Sequence, residues 1–238
     1  HAHCWRARPR FPLVVWGIMA CSSGASLWVQ NAQPASHGNR LAVEGFLKHL
    51  RSPDVRAFYA CVALMQMSHG PYYTFLTLHL EHLGYSRGVI GMLWALGVVA
   101  EVLMFLAMSR ILSRFSVRRV LLASFLLAAL RWLLLGSFAE FFWVLLLAQV
   151  MHAATFGSFH AAAIAFVQRS FGDKQQGQGQ ALYAALAGTG GALGALYSGY
   201  SWNLLGPTLT FSIASVAALA AAVIIGFRLQ EQNQGTLQ

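Results

Sequence analysis

Residues 87–109, RGVIGMLWALGVVAEVLMFLAMS, contain 21 uncharged positions, one arginine at the start and one glutamate, Glu101, inside. A run of this length and polarity matches the roughly 20 apolar residues that an α-helix needs to cross a bilayer. Residues 120–138, VLLASFLLAALRWLLLGSF, repeat the pattern with a single internal charge of opposite sign, Arg131. Working outward from these two, further apolar runs lie at 58–80, 141–165, 181–201 and 206–228. The sequence therefore predicts an all-α integral membrane protein with six clear spans over 58–228.

Composition agrees. The 238 residues are 57% hydrophobic and only 10% charged, whereas a soluble domain carries about a quarter charged residues. The net charge of +9 would suggest nucleic acid if its arginines formed one stripe. They sit between apolar runs instead, as loop charges do. The three cysteines, Cys4, Cys21 and Cys61, have neither CxxC nor metal-ligand spacing. No P-loop, GxSxG, HExxH or dinucleotide fingerprint is present, so the chain does not read as an enzyme.

Residues 11–29 form a weaker apolar run, diluted by Ser22, Ser23 and Gly24. Domain 1–29 reads as a partial spanning helix. The basic start, the short apolar core and the small residues after it also permit a signal sequence, and IMAC (18–21) resembles a lipoprotein cleavage site. Residues 30–57, with Pro34, Gly38 and Pro53, read as a polar linker, and 229–238 as a polar tail. If the linker is cytoplasmic, that side holds Arg40, Lys48, Arg51, Arg56, Arg110, Arg114, Arg118, Arg119, Arg169, Lys174 and Arg228. The other side holds Arg87 alone among loops after residue 30. Eleven against one predicts that six spans start and end in the cytoplasm.

The glycines of AGTGGALGALYSG (187–199) suit helix packing better than a phosphate loop. Ala187/Gly191, Gly190/Gly194 and Ala195/Gly199 are small-xxx-small pairs that let membrane helices approach closely.

The depth of the polar residues carries the functional reading. His69 is central in 58–80, and His152 is next to the centre of 141–165. At 1.5 Å per residue, Glu101 lies about 4.5 Å and Arg131 about 3 Å from the centres of their runs. Charges at the bilayer centre cost about 2.5–3.5 kcal/mol each and usually mark a pathway. Glu101 and Arg131 are expected to form a buried ion pair, direct or bridged by substrate or water. A static pair that only pins two helices is the structural alternative, weakened by the desolvation that such pairs suffer. Gln66, His69 and Tyr73 share one helical face, with Tyr72 beside it, and Gln149, His152, Phe156, Phe159 and His160 share another. Trp94 and Gly97 fall on the Glu101 side of their helix, while Trp132 is free to face lipid. Two histidines such as His69 and His152 could alternatively hold a haem in a membrane redox protein. No cofactor or metal is otherwise expected.

MQMSHGPYYTF (65–75), LGYSRGVIGMLWALGVVAEVLMF (83–105), LLASFLLAALRWLLLG (121–136) and QVMHAATFGSFHAAA (149–163) resemble the major facilitator superfamily. Within it they are similar to the permease group of 3-phenylpropionate and lactose transporters. The resemblance covers about residues 50–228 and implies helices seven to twelve of a twelve-helix fold. The chain would be the C-terminal six-helix bundle, with 11–29 a remnant of helix six and the N-terminal bundle missing. It implies secondary active transport, by proton symport, of a small organic solute such as an aromatic carboxylate, in a bacterial inner membrane. Glu101 then resembles the substrate-contacting acid of helix eight, Arg131 the proton-coupling arginine of helix nine, and His152 the histidine of helix ten. Thr155 stands where that group carries a carboxylate. The substrate and proton pathway is expected to use Glu101, Arg131, His152, His69, Tyr72, Tyr73, Gln149 and Phe156. The alternative is a non-transporting truncated module or half-transporter subunit. The loop SRILSRFSVRR (109–119) resembles the facilitator loop motif, without its usual Asp and leading Gly.

Overall fold

The computed structural model describes residues 39–172 and 175–229. The run 11–29, Cys4, Cys21, Lys174 and the tail 230–238 lie outside the described residues. The described residues from 41 onward belong to one compact unit.

The described residues are helical almost throughout. The helices are α1 (Asn39–Leu50), α2 (Pro53–Ser68), α3 (Gly70–His82), α4 (Arg87–Arg114), α5 (Val117–Ser137), α6 (Phe142–His152), α7 (Ser158–Ser170) and α8 (Gln176–Arg228). A π-helical turn, Ala153–Gly157, joins α6 to α7. Among the described residues, four stretches are long and apolar enough to cross a membrane: Arg87–Arg114, Val117–Ser137, Phe142–Ser170 and Gln176–Arg228.

The described residues make six passes, because two elements are not single straight rods. At about 1.5 Å per residue, α8 would reach roughly 80 Å, far more than the bilayer core. It folds back at Gly206, whose φ of 79° and ψ of 176° suit glycine alone. Pro207, lacking an N–H, starts the second arm in its natural place. Contacts prove the reversal. Along the first arm, Gly179 meets Tyr59, Gly194 meets Met67, and Trp202 stacks on Phe75, so it runs parallel to α2 and α3. Along the second, Thr208 bonds Gly136, Ser215 bonds Ala129, and Gly226 accepts from Arg118, so it runs antiparallel to α5.

The first pass differs from the unbroken span 58–80. It begins at Pro53 and breaks at His69. Pro71 cannot donate to the Met67 carbonyl, so the ladder lapses there. Ser68 Oγ and His69 Nδ1 both donate to the Met65 carbonyl, at 2.7 and 2.9 Å. The linker 30–57 also holds a helix, α1, which the prolines and glycine around it had hidden.

Ser86 and Ser116 cap α4 and α5, each accepting from the backbone N–H three residues on, at 3.4 Å. Between α3 and α4, Gly84 has a φ of 86°. Tyr85 N donates to the Leu80 carbonyl at 3.0 Å, the six-to-one bond that closes a helix around a left-handed glycine.

Among the small-residue pairs, Gly190/Gly194 lies at the tightest approach. A Cβ on Gly194 would stand 2.5 Å from the Met67 carbonyl oxygen, and one on Gly70 would stand 2.6 Å from Gly194 Cα. Gly191 and Gly199 have nothing within 4 Å. Backbone therefore rests on backbone where α8 crosses the broken pass. Much of the outer surface is apolar, with Leu106, Leu204 and Phe227 at least 70% exposed.

Candidate functional site

Arg131 is fully buried on α5. Its Nε donates to the Ala148 carbonyl at 2.7 Å, and Nη1 lies 3.5 Å from Thr155 Oγ1. Its guanidinium lies 4.1 Å from the ring centroid of Tyr72 and 4.6 Å from that of Trp132. Such contacts are attractive because ring faces are negative. Its Nη2 is buried and has no hydrogen-bond partner.

The expected direct pair of Glu101 with Arg131 does not form. Glu101 Oε2 lies 3.7 Å from His152 Nε2 instead, an ion-pair distance too long for a hydrogen bond. The reason is where α4 lies. Gly97 and Gly157 have no side chains, and α4 packs there against α6 and the π turn. A Cβ on Gly97 would stand 3.4 Å from Gln149 Oε1, and one on Gly157 would stand 3.3 Å from Glu101 Cγ. Arg131 is held on the other side of α6 by Ala148 and Thr155.

His69 and His152, at the break and at the end of α6, have ring centroids 6.3 Å apart. His69 Nδ1 is committed to Met65, while His69 Nε2 and His152 Nδ1 are buried without partners. Tyr72 donates to Gln149 Oε1 at 2.8 Å. Phe156 stacks on His152 at 5.1 Å and Tyr73 on Trp94 at 6.2 Å. Tyr73 is 50% exposed, so the cluster opens on that side. Glu101, Arg131, His152, His69, Tyr72, Tyr73, Gln149 and Phe156 thus come together from four passes. The π turn belongs to this arrangement, since it carries Thr155 and Phe156. Such turns recur at functional sites.

Sequence reasoning missed Trp132. It does not face lipid but is fully buried, and its Nε1 donates to Ser68 Oγ at 3.2 Å. The neighbouring Arg131 was the available signal, because a buried arginine needs an aromatic or carboxylate wall. Trp132→Phe keeps a ring beside Arg131 but removes that bond. It should cost about 1 kcal/mol, read as a lowered thermal midpoint of the purified protein. Tyr183 was also missed. Its hydroxyl hydrogen-bonds His160 Nδ1, whose Nε2 lies 3.2 Å from Gln66 Nε2.

Residues 7–213 match the family described as MFS_1 like. The chain is also 35% identical over 161 residues to a protein of Escherichia coli (strain K12) named "Probable 3-phenylpropionic acid transporter". That alignment covers 67% of this chain and 42% of the relative, so the chain spans less than half of its length. The family is one of membrane transporters and not of enzymes, and the haem redox reading is set aside with it. With more than half its length matched, this helical membrane chain belongs to the MFS_1-like family.

Proposed function

We propose that the cluster is the midplane site of a proton-coupled secondary transporter for a small organic acid with an aromatic body. The observation that carries this reading is Arg131: fully buried, paired with no carboxylate, and left with an unpartnered Nη2 beside Tyr72. A substrate carboxylate would satisfy it, since guanidinium and carboxylate match in geometry. Tyr72, Tyr73, Trp94 and Phe156 offer rings to an apolar body. The name of the E. coli relative is consistent with such a substrate. Glu101 and His152 are the proton-carrying pair in this reading, as ionisable groups in direct contact with no arginine between them. The end of the bundle rich in arginine faces the cytoplasm of a bacterial inner membrane. A second six-helix bundle completes the site on the open side of Tyr73.

Uptake of labelled 3-phenylpropionate into cells producing the protein, driven by an imposed proton gradient, tests the reading. Glu101→Gln should reduce accumulation against a gradient by about tenfold or more, in the range of a lost general acid or base. Exchange of internal for external substrate should survive. Wild-type accumulation in Glu101→Gln would remove the carboxylate from the coupling step.

A further inference from the structure

Three hydrogen-bonded polar side chains lie beside the Arg131 cluster and outside it. Tyr59 donates to the Gly179 carbonyl at 2.9 Å, which fixes the first arm of α8 beside α2. Tyr183 is one turn farther along that arm, and Gln66 is two turns farther along α2. His160 of α7 joins them. Gln66 Nε2 can only donate, so His160 Nε2 accepts from it, at 3.2 Å. His160 Nδ1 then carries the ring hydrogen and donates to the Tyr183 oxygen.

Two groups are left over. Among the described residues, neither the Tyr183 hydroxyl hydrogen nor Gln66 Oε1 has a partner. Gln66 and His160 are only half-buried, so a ligand can reach them. One free donor and one free acceptor thus flank a single imidazole. A carboxylate offers acceptors alone and an ammonium donors alone, whereas a hydroxyl group offers both.

Phe156 connects these residues to the midplane. Its ring meets that of His160 edge to face at 4.2 Å and stacks on His152 at 5.1 Å. Tyr73, on the open side, lies 6.1 Å from Phe156. Rings therefore run without a gap from the Arg131 cluster to His160, and the span suits one small solute. Thr155, which Arg131 Nη1 approaches, precedes His160 by five residues, or about 7 Å of rise. An arylpropionate measures about 8 Å from its carboxylate carbon to an oxygen at the far end of its ring, at roughly 1.5 Å per bond.

We propose that Gln66, His160 and Tyr183 form a polar subsite for a hydroxyl group at the far end of the solute's ring, with the ring lying over Phe156. This assignment rests on Arg131 as the partner of the solute carboxylate, and it narrows the substrate class to aromatic acids hydroxylated opposite the side chain. The solute hydroxyl donates to Gln66 Oε1 and accepts from Tyr183. His160 is a positioning residue that ties the two together. An unsubstituted ring would cover both groups without satisfying either, and sites built to bond a hydroxyl discriminate against the analogue that lacks it.

The test is displacement of labelled 3-phenylpropionate from the purified protein by unlabelled 3-phenylpropionate, 3-(4-hydroxyphenyl)propionate and 3-(2-hydroxyphenyl)propionate. The 4-hydroxy acid should displace the label at about tenfold lower concentration than 3-phenylpropionate does. The 2-hydroxy acid, whose hydroxyl stays near the carboxylate, should gain nothing. Tyr183→Phe removes the free donor and Gln66→Leu the free acceptor. Each should bring the affinities of the 4-hydroxy and unsubstituted acids together. Residues that only stapled α2, α7 and α8 would lower the unfolding midpoint when substituted and leave that ratio unchanged. Equal affinities in wild type, an equal gain from the 2-hydroxy group, or a ratio that survives both substitutions overturns the subsite and leaves Arg131 as the carboxylate's partner. Absence of label binding, in wild type as in Arg131→Leu, brings down the Arg131 reading and the subsite with it.

Discussion

Arg131→Lys should abolish uptake as thoroughly as Arg131→Leu, a fall of about 100-fold or more. A lysine keeps the charge but not the fork. The wild-type guanidinium divides its donors between the Ala148 carbonyl and Thr155, rests against Tyr72 and Trp132, and keeps Nη2 free. An ammonium group is a compact point charge that cannot hold these positions together. Losing two or three charge-assisted contacts to a substrate carboxylate is worth about 3 kcal/mol, or about 100-fold. Stability should move differently. Arg131→Leu removes a buried charge with an orphaned donor, and an apolar side chain of similar volume is often neutral or stabilising in such places. The purified Leu variant should therefore unfold at or above the wild-type temperature while transporting nothing. A Lys variant with wild-type uptake would detach Arg131 from substrate.

Gly194→Ala should destabilise the bundle by about 2 kcal/mol, within the range of overpacking. Gly191→Ala, three residues away on the same arm, should be neutral or slightly stabilising. The two substitutions add the same methyl group and gain the same helix propensity. They differ only in what the methyl meets. At 194 it stands 2.5 Å from the Met67 carbonyl oxygen and 3.0 Å from Met67 Cα, and at 191 it meets nothing within 4 Å. Backbone cannot rotate away as a side chain does, so α2 and the first arm of α8 must part. Thermal unfolding of both variants in detergent measures the contrast. Equal midpoints would mean that the passes do not pack at this separation.

Much of this was legible in the sequence. Six apolar runs, their lengths and the depth of four ionisable residues needed no tertiary information, because the bilayer imposes both length and polarity on each helix. Membership of the cluster followed from depth and face. Pairing inside it did not. Depth places Glu101 and Arg131 at one level but does not say which side of α6 each approaches, and Ala148, Thr155 and Gly97 decide that. The break at His69 was hidden for another reason. Pro71 signals it, yet membrane helices often carry proline through, so its effect depends on the crossing at Gly194. Tyr183 lies more than twenty residues from the nearest polar face, and only the parallel course of α8 beside α2 brings it to His160.

The glycine crossing also sets where this protein can diverge. At Gly70, Gly190 and Gly194 no side chain stands between the helices, so there is nothing for mutation to trim or enlarge by degrees. Every substitution there is a step change, and these positions are closed to gradual adaptation. Tyr73, Trp94 and Phe156 lie on the open rim of the same bundle, and ring size there can vary without moving a helix. New solute preferences should accumulate at the rim over a fixed helix crossing, and a library aimed at altered uptake belongs at those three residues.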